Sequence, residues 1–186
     1  MHNILILSKI AIIVYDNGLF SLYNLYSLKT INSLTIEKFF NAPVEVLWQA
    51  WTEPNQLKKW WGPDNVSIPK CQLELSVGGS FDIDMLAGEE LGPFKGYVWP
   101  MRATYTDIQI NQKLSYNALA WTEGQRDRTE ISQTTEIEFK PISENRSQVI
   151  IEANILKAGP DAKMAVNGMK AGFEQQLNKL TKYLSK

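Results

Sequence analysis

The chain has 186 residues, 44% of them hydrophobic and 21% charged, with a formal net charge of −1. That length buries a substantial single core, and the balanced charge excludes a protein built to grip phosphate backbones, so nucleic acid is not an expected partner. One cysteine, Cys71, rules out an internal disulfide or a thiolate cluster and fits a reducing cytoplasm, while the single histidine, His2 at the terminus, removes most catalytic triads and His-based zinc sites.

Residues 1–33 read differently from the rest. "ILILSKIAIIVY" is apolar but is interrupted by Lys9 and is shorter than the roughly 20 residues of a membrane span. Neither a basic leader nor a small-x-small cleavage site marks it as a signal peptide. Three readings stand: an atypical extension from an upstream start codon, a membrane or export segment, or an added hairpin around Asp16-Asn17-Gly18. The extension is the one we expect, with no membrane association.

Regular patterning starts at Leu34. "LTIEKFF" reads as a strand. In "NAPVEVLWQAW", Pro43 suits a first helical position after a cap at Asn41 or Ala42, and Val44, Leu47, Trp48 and Trp51 share one helical face. "TEPNQLKKWW" predicts a second short helix closed by Gly62-Pro63. Adjacent residues on a helix point about 100° apart, so one of Trp60 and Trp61 is expected in the core and the other at a rim or surface.

Period-two segments follow. "KCQLELSVGGSFDIDM" sets Cys71, Leu73 and Leu75, then Phe81, Ile83 and Met85, on an apolar face, with a turn at Gly78-Gly79 and Asp82 and Asp84 on the wet face. "GYVWPMRATYTDI" alternates Tyr97, Trp99, Met101, Ala103 and Tyr105 against a second face, and Pro100 suggests an edge strand or a bulge. "QKLSYNALAW", "TEISQTTEIEFK" and "SQVIIEANIL" supply three more strands. A long amphipathic helix ends the chain, with Met169, Phe173, Leu177, Leu180 and Leu184 at helical spacing.

Consecutive strands without crossover helices make an antiparallel sheet. The fold class is therefore α+β: six or seven curved strands against one long helix, with two short helices after the first strand. A helix only about 10–12 Å wide cannot fill the hollow of such a sheet. Large side chains or a ligand must fill the rest.

The blocks "FNAPVEVLWQAWTEPNQLKKWWGP", "LELSVGGSFDIDM", "WPMRATYTDIQINQKLSY" and "GFEQQLNKLTKYL" resemble the Hsp90-ATPase-activator-homologue-like family, within the helix-grip (START/Bet v 1-like, SRPBCC) superfamily. The resemblance spans about residues 34–185, giving one domain over 34–186 with 1–33 outside it. It departs at Phe173, where tryptophan is commoner after the glycine. The resemblance implies a sheet gripping the C-terminal helix around a cavity for apolar molecules. It also implies an alternative, a co-chaperone module that stimulates an Hsp90-like ATPase. The eukaryotic co-chaperone carries a further N-terminal domain that the stretch before Leu34 is too short to match.

Seven side chains are the candidate cavity contacts: Trp61, Phe81, Met85, Tyr97, Trp99, Tyr105 and Phe173. Each also suits a plain core, although the polar tips of tyrosine and tryptophan favour a cavity wall. Asp82, Asp84, Glu89 and Glu90 read as solvated surface rather than a metal or acid-base site, and Arg102 as a surface partner of Asp107 or Glu130. The Asn65 and Asn145 sequons matter only in a secreted eukaryotic protein. The expected function is binding of a small lipid-like or aromatic ligand without cofactor or metal. A cyclase or hydrolase is a third reading, but no residue stands out as catalytic.

Overall fold

The computed structural model describes residues 4–7, 10–14, 20–24 and 32–185. The chain divides into two units, Met1–Thr30 and Ile31–Lys186. In the first, β1 (Ile4–Leu7), β2 (Ile10–Val14) and β3 (Phe20–Asn24) form a three-stranded antiparallel sheet in that order. The Asp16-Asn17-Gly18 turn lies outside the described residues.

The second unit runs β4 (Asn32–Phe40), α1 (Val44–Thr52), α2 (Pro54–Leu57), β5 (Val66–Leu73), β6 (Ser80–Ala87), β7 (Val98–Gln109), β8 (Lys113–Ala120), α3 (Arg126–Thr129), β9 (Ile131–Ser143), β10 (Arg146–Ala158) and α4 (Lys163–Leu184). Its seven strands lie in the order β4-β10-β9-β8-β7-β6-β5, every neighbouring pair antiparallel. Strands β5 to β10 form a meander, and the first strand closes onto the last, with Ile36 opposite Ile151. Because β4 and β5 occupy opposite edges, the chain between them must cross the whole sheet. It does so as α1 and α2, with α1 resting on β9 and β10 and α2 on β5. Register shifts at Ser67/Lys70, Tyr105/Asp107 and Ile155/Lys157 bend the strands and add to the twist that curves the sheet. This is the α+β helix-grip architecture expected from the sequence.

Local details differ from expectation in instructive ways. Pro43 is itself the cap of α1, in extended conformation, and the helix starts at Val44. The expected capping pair is bypassed; the carbonyl of Ala42 instead accepts from the buried Ser147 hydroxyl of β10. Pro100 lies neither on an edge nor at a bulge but in β7, opposite Asp84 of β6. Its carbonyl accepts from Trp121 N–H, one residue past the end of β8. The proline nitrogen faces that same side, so the missing donor falls where the neighbouring strand has already stopped. Gly79 is required in the β5–β6 turn, since a Cβ there would sit 2.2 Å from the Glu74 carbonyl oxygen.

The helix α4 is seated unevenly. Gln176, Leu177 and Leu180 are buried, whereas Met164 is 66% exposed. Burying a leucine contributes about 1.5–3 kcal/mol, so the C-terminal half carries most of the helix's apolar anchoring. In the N-terminal half, Val166 and Met169 rest only on a small cluster of Ile131, Ile155, Ala158 and Ala162, separate from the main core.

Polar ties reinforce the asymmetry. The Lys179 ammonium donates to three successive carbonyls, of Trp61 at 3.1 Å, Gly62 at 3.2 Å and Pro63 at 3.2 Å. Gly62 N–H donates to Gln176 Oε1 and Asp64 N–H to Gln175 Oε1. Lys38 Nζ donates to Asn178, and the Tyr183 hydroxyl to Gln56. Among the described residues, every side-chain hydrogen bond from α4 to another element comes from the stretch between Gln175 and Tyr183. Gly62 turns the chain there at φ +78°, a conformation glycine adopts without strain.

Lys179→Met leaves three carbonyls without their charged donor. It is expected to cost about 1–3 kcal/mol, measured by urea unfolding, whereas Lys182→Met on the exposed side of the same helix should stay within about 0.5 kcal/mol of the parent.

Candidate functional site

The seven candidate side chains come from β6, β7, α4 and two connecting segments, which hold Trp61 and Tyr97, and the structure sorts them into a packed group and a half-covered group. Trp61, Phe81 and Tyr105 belong to the first, at 4%, 2% and 1% exposure. Alternation in β6 and β7 turns Phe81 and Tyr105 to the inner face of the sheet, where their rings stack at 5.6 Å and an interplanar angle of 3°. Trp61 meets Phe81 edge-on at 5.3 Å, and Tyr116 of β8 completes the set against Phe81 at 5.2 Å.

Trp60 is buried as well, at 0% exposure, so the expected division of Trp60 and Trp61 between core and rim does not hold. Regular helix ends at Leu57, and the segment after it is covered on two sides. Trp51 of α1 packs on Trp60 at 4.7 Å and on Trp61 at 5.7 Å, while β6 supplies Phe81 to Trp61. Trp60 Nε1 donates to the Ala50 carbonyl.

The second group is half-covered. Met85 and Trp99 are cross-strand partners on β6 and β7 and, like Phe173 of α4, pack partly buried against the core. Tyr97 is 39% exposed and packs on Phe94, which also meets Trp99. Leu91, in the short 3-10 segment Glu89–Phe94 joining β6 to β7, is another partly covered neighbour of the core. Met85 Sδ lies beside Gly62, 3.6 Å from where a Cβ would stand. Gly62 is also the residue bound by Gln176, one turn after Phe173. The Gly62 turn is thus where Met85 and the Phe173–Gln176 turn of α4 come together.

Two inner-face polar features escaped the sequence reading. On β9, Gln133 and Thr135 are buried between Ile131 and Ile137, and Gln133 Nε2 donates to Thr135 Oγ1. On α4, Gln176 is buried in the apolar stripe. Among the described residues, its Nε2 and Trp51 Nε1 are buried without a hydrogen-bond partner. The available signal for Gln176 was its spacing, three after Phe173 and one before Leu177, which puts a polar residue on the inward face.

Among the described residues, the titratable groups with shifted protonation are buried singles or surface pairs. Burial raises the hydroxyls of Tyr105 and Tyr116 well above the ordinary phenol value. Burial pushes Lys179 below the ordinary lysine value while Asp64 pulls it back. Arg102 pairs with Asp84 at 2.6 Å and with Asp82 at 3.9 Å, not with Asp107 or Glu130, because Asp82 is its cross-strand partner on the outer face. Asp107 pairs instead with Lys113, and Glu130 with Arg126. No group of three or more metal-ligating side chains occurs among the described residues. No helix among them is long and apolar enough to cross a membrane.

Two surface depressions lie elsewhere. One, of about 530 Å³, is an open groove lined by Val44, Gln109, Asn111 to Lys113 and Glu138 to Pro141; the other, of about 200 Å³, lies by Arg126 and Lys157. None of the seven candidates lines either.

A seven-stranded antiparallel sheet closed by its C-terminal helix over an aromatic interior defines the helix-grip class. Within it, residues 41–185 match the family described as Activator of Hsp90 ATPase homolog 1-like protein, and the chain belongs to that family. Solved structures share the fold. A protein from Nitrosomonas europaea is 22% identical, with 82% of this chain and 94% of that one covered at a TM-score of 0.64. A protein from Arthrobacter aurescens, also 22% identical, covers 86% and 88% at 0.67. The AHSA1 protein from Silicibacter pomeroyi is 20% identical and covers 83% and 98% at 0.63. No curated protein matches the chain in sequence.

Cys71 offers a direct check on the interior. Burial pushes its thiol up to about 11, against a partial pull from Lys58. The unfolded thiol, near 9.0, therefore ionises first, and this group's contribution to stability falls as pH rises from 9.0 toward 11. Folded protein at pH 8 is expected to resist a thiol reagent such as Ellman's, with full reaction appearing only in denaturant.

Proposed function

We propose that the protein binds a small apolar molecule, lipid-like or aromatic, where α4 grips the sheet. The carrying observation is the uneven seating of α4. Its C-terminal half is locked by Leu177, Leu180 and Lys179, while beside the Gly62 turn the apolar groups Met85, Trp99 and Phe173 are only partly covered. In a domain of this size such side chains are ordinarily buried against one another. A ligand seated there would complete their burial at about 25 cal/mol per Å² of apolar surface. Met85, Tyr97, Trp99 and Phe173 are the proposed contacts, and Trp61, Phe81 and Tyr105 form the packed floor behind them. The binding domain extends over residues 34–186, with 1–33 outside it.

Stimulation of a chaperone ATPase is a property of the family's description. The ligand reading draws its support from this chain's own side chains, and we keep to it.

Thermal unfolding with 1-dodecanol or 1-aminoanthracene tests the proposal. A ligand at a hundredfold its Kd should raise Tm by about 5–10 °C. Trp99→Ala and Phe173→Ala, both at partly covered positions, should remove most of that rise. A panel of lipid-like and aromatic molecules that leaves Tm unmoved would sink the reading.

A further inference from the structure

Gln176 has more hydrogen-bonding capacity than the protein uses. The residue is 5% exposed, and its Oε1 accepts the Gly62 N–H at 3.3 Å. That bond fixes the orientation of the amide, because a flipped side chain would set two N–H groups against each other. Nε2 is then left buried with no acceptor among the described residues. Leaving such a donor unpaired is unfavourable. The carbonyls of Trp61, Gly62 and Pro63, the whole turn facing Gln176, are directed to Lys179.

Apolar side chains flank Gln176. Phe173 stands one turn earlier on the same face of α4, and Met85 lies beside Gly62. A wholly hydrocarbon ligand at this place would leave Nε2 unsatisfied, whereas one carrying an oxygen acceptor would satisfy it. The neighbouring Lys179 ammonium is turned to its three carbonyls, so the donor on offer is a neutral amide N–H, suited to a neutral acceptor.

Resting on the ligand reading above, we infer that Gln176 is the polar anchor of the site and that the ligand is an apolar molecule bearing a neutral carbonyl oxygen, as in a ketone or an ester. Gln176 then has two tasks: its oxygen holds the Gly62 turn against α4, and its nitrogen selects the ligand.

Two matched pairs test this on the full chain: benzophenone against diphenylmethane, and 2-undecanone against undecane. Each is titrated while the backbone and side-chain amide signals are followed by ¹H–¹⁵N NMR. The ketone of a pair should bind about tenfold more tightly, the worth of one buried hydrogen bond, and should shift the Gln176 side-chain amide proton. Gln176→Glu keeps an oxygen for Gly62 N–H but removes the donor, and it should abolish the preference. Equal affinity of ketone and hydrocarbon, with the Gln176 amide unmoved, overturns the anchor and leaves the ligand reading standing. A preference that survives in Gln176→Glu also overturns the anchor alone. Binding of none of the four molecules to the parent protein overturns both. The comparison on the parent protein decides the matter even if the variant does not fold.

Discussion

The grip of Lys179 on three consecutive carbonyls is the constraint around which the rest is arranged. The crossing segment from β4 to β5 has to pass over the inner face of the sheet, and its turn at Trp61, Gly62 and Pro63 exposes carbonyls that no strand or helix satisfies. A lysine on the last helix satisfies all three at once, and Gln176 and Gln175 take the N–H groups of Gly62 and Asp64. Buried backbone groups must be paired, so this turn and this part of α4 hold each other in place. The result fixes one half of the helix and leaves the other supported by a small cluster alone.

Packing behind the turn follows from the same arrangement. Once the turn is pinned, Trp60 and Trp61 are buried and interlock edge-to-face with Trp51 and, through Trp61, with Phe81, while Trp51 in turn meets Phe139. Such pairs add about 0.5–1.5 kcal/mol each beyond their buried area. The interior near the turn is therefore rigid and full. Incomplete cover is found instead at the margin of this packed group, where Met85, beside Gly62, together with Trp99 and Phe173 is only partly buried.

The fold was legible in the sequence to a large extent because its two periodicities are clean. Ile131, Gln133, Thr135, Ile137 and Phe139 alternate strictly inward along β9, and the absence of crossover helices forces antiparallel pairing. What the sequence concealed depended on neighbours brought from far away. Trp60 and Trp61 looked divided between core and rim because a regular helix was assumed through them; α1 and β6 cover both faces of that segment. Pro100 looked like an edge residue because its register against the end of β8 is a tertiary fact. Gln176 and Lys179 are polar residues in an amphipathic helix, and only the distant Gly62 turn gives them partners. The candidate site was legible as a set of apolar side chains, but its division into packed floor and half-covered rim was not.

The central claim is that α4 is fixed between Gln175 and Tyr183 and receives a ligand at the boundary of that stretch, around Phe173 and Gln176. Amide hydrogen exchange measured along α4, with and without 1-dodecanol, tests it most directly. The account predicts faster exchange over residues 164–174 than over 177–184, and slowing of the first stretch and of residues 88–99 when the probe binds. Equal protection along the whole helix, unchanged by the probe, would contradict it.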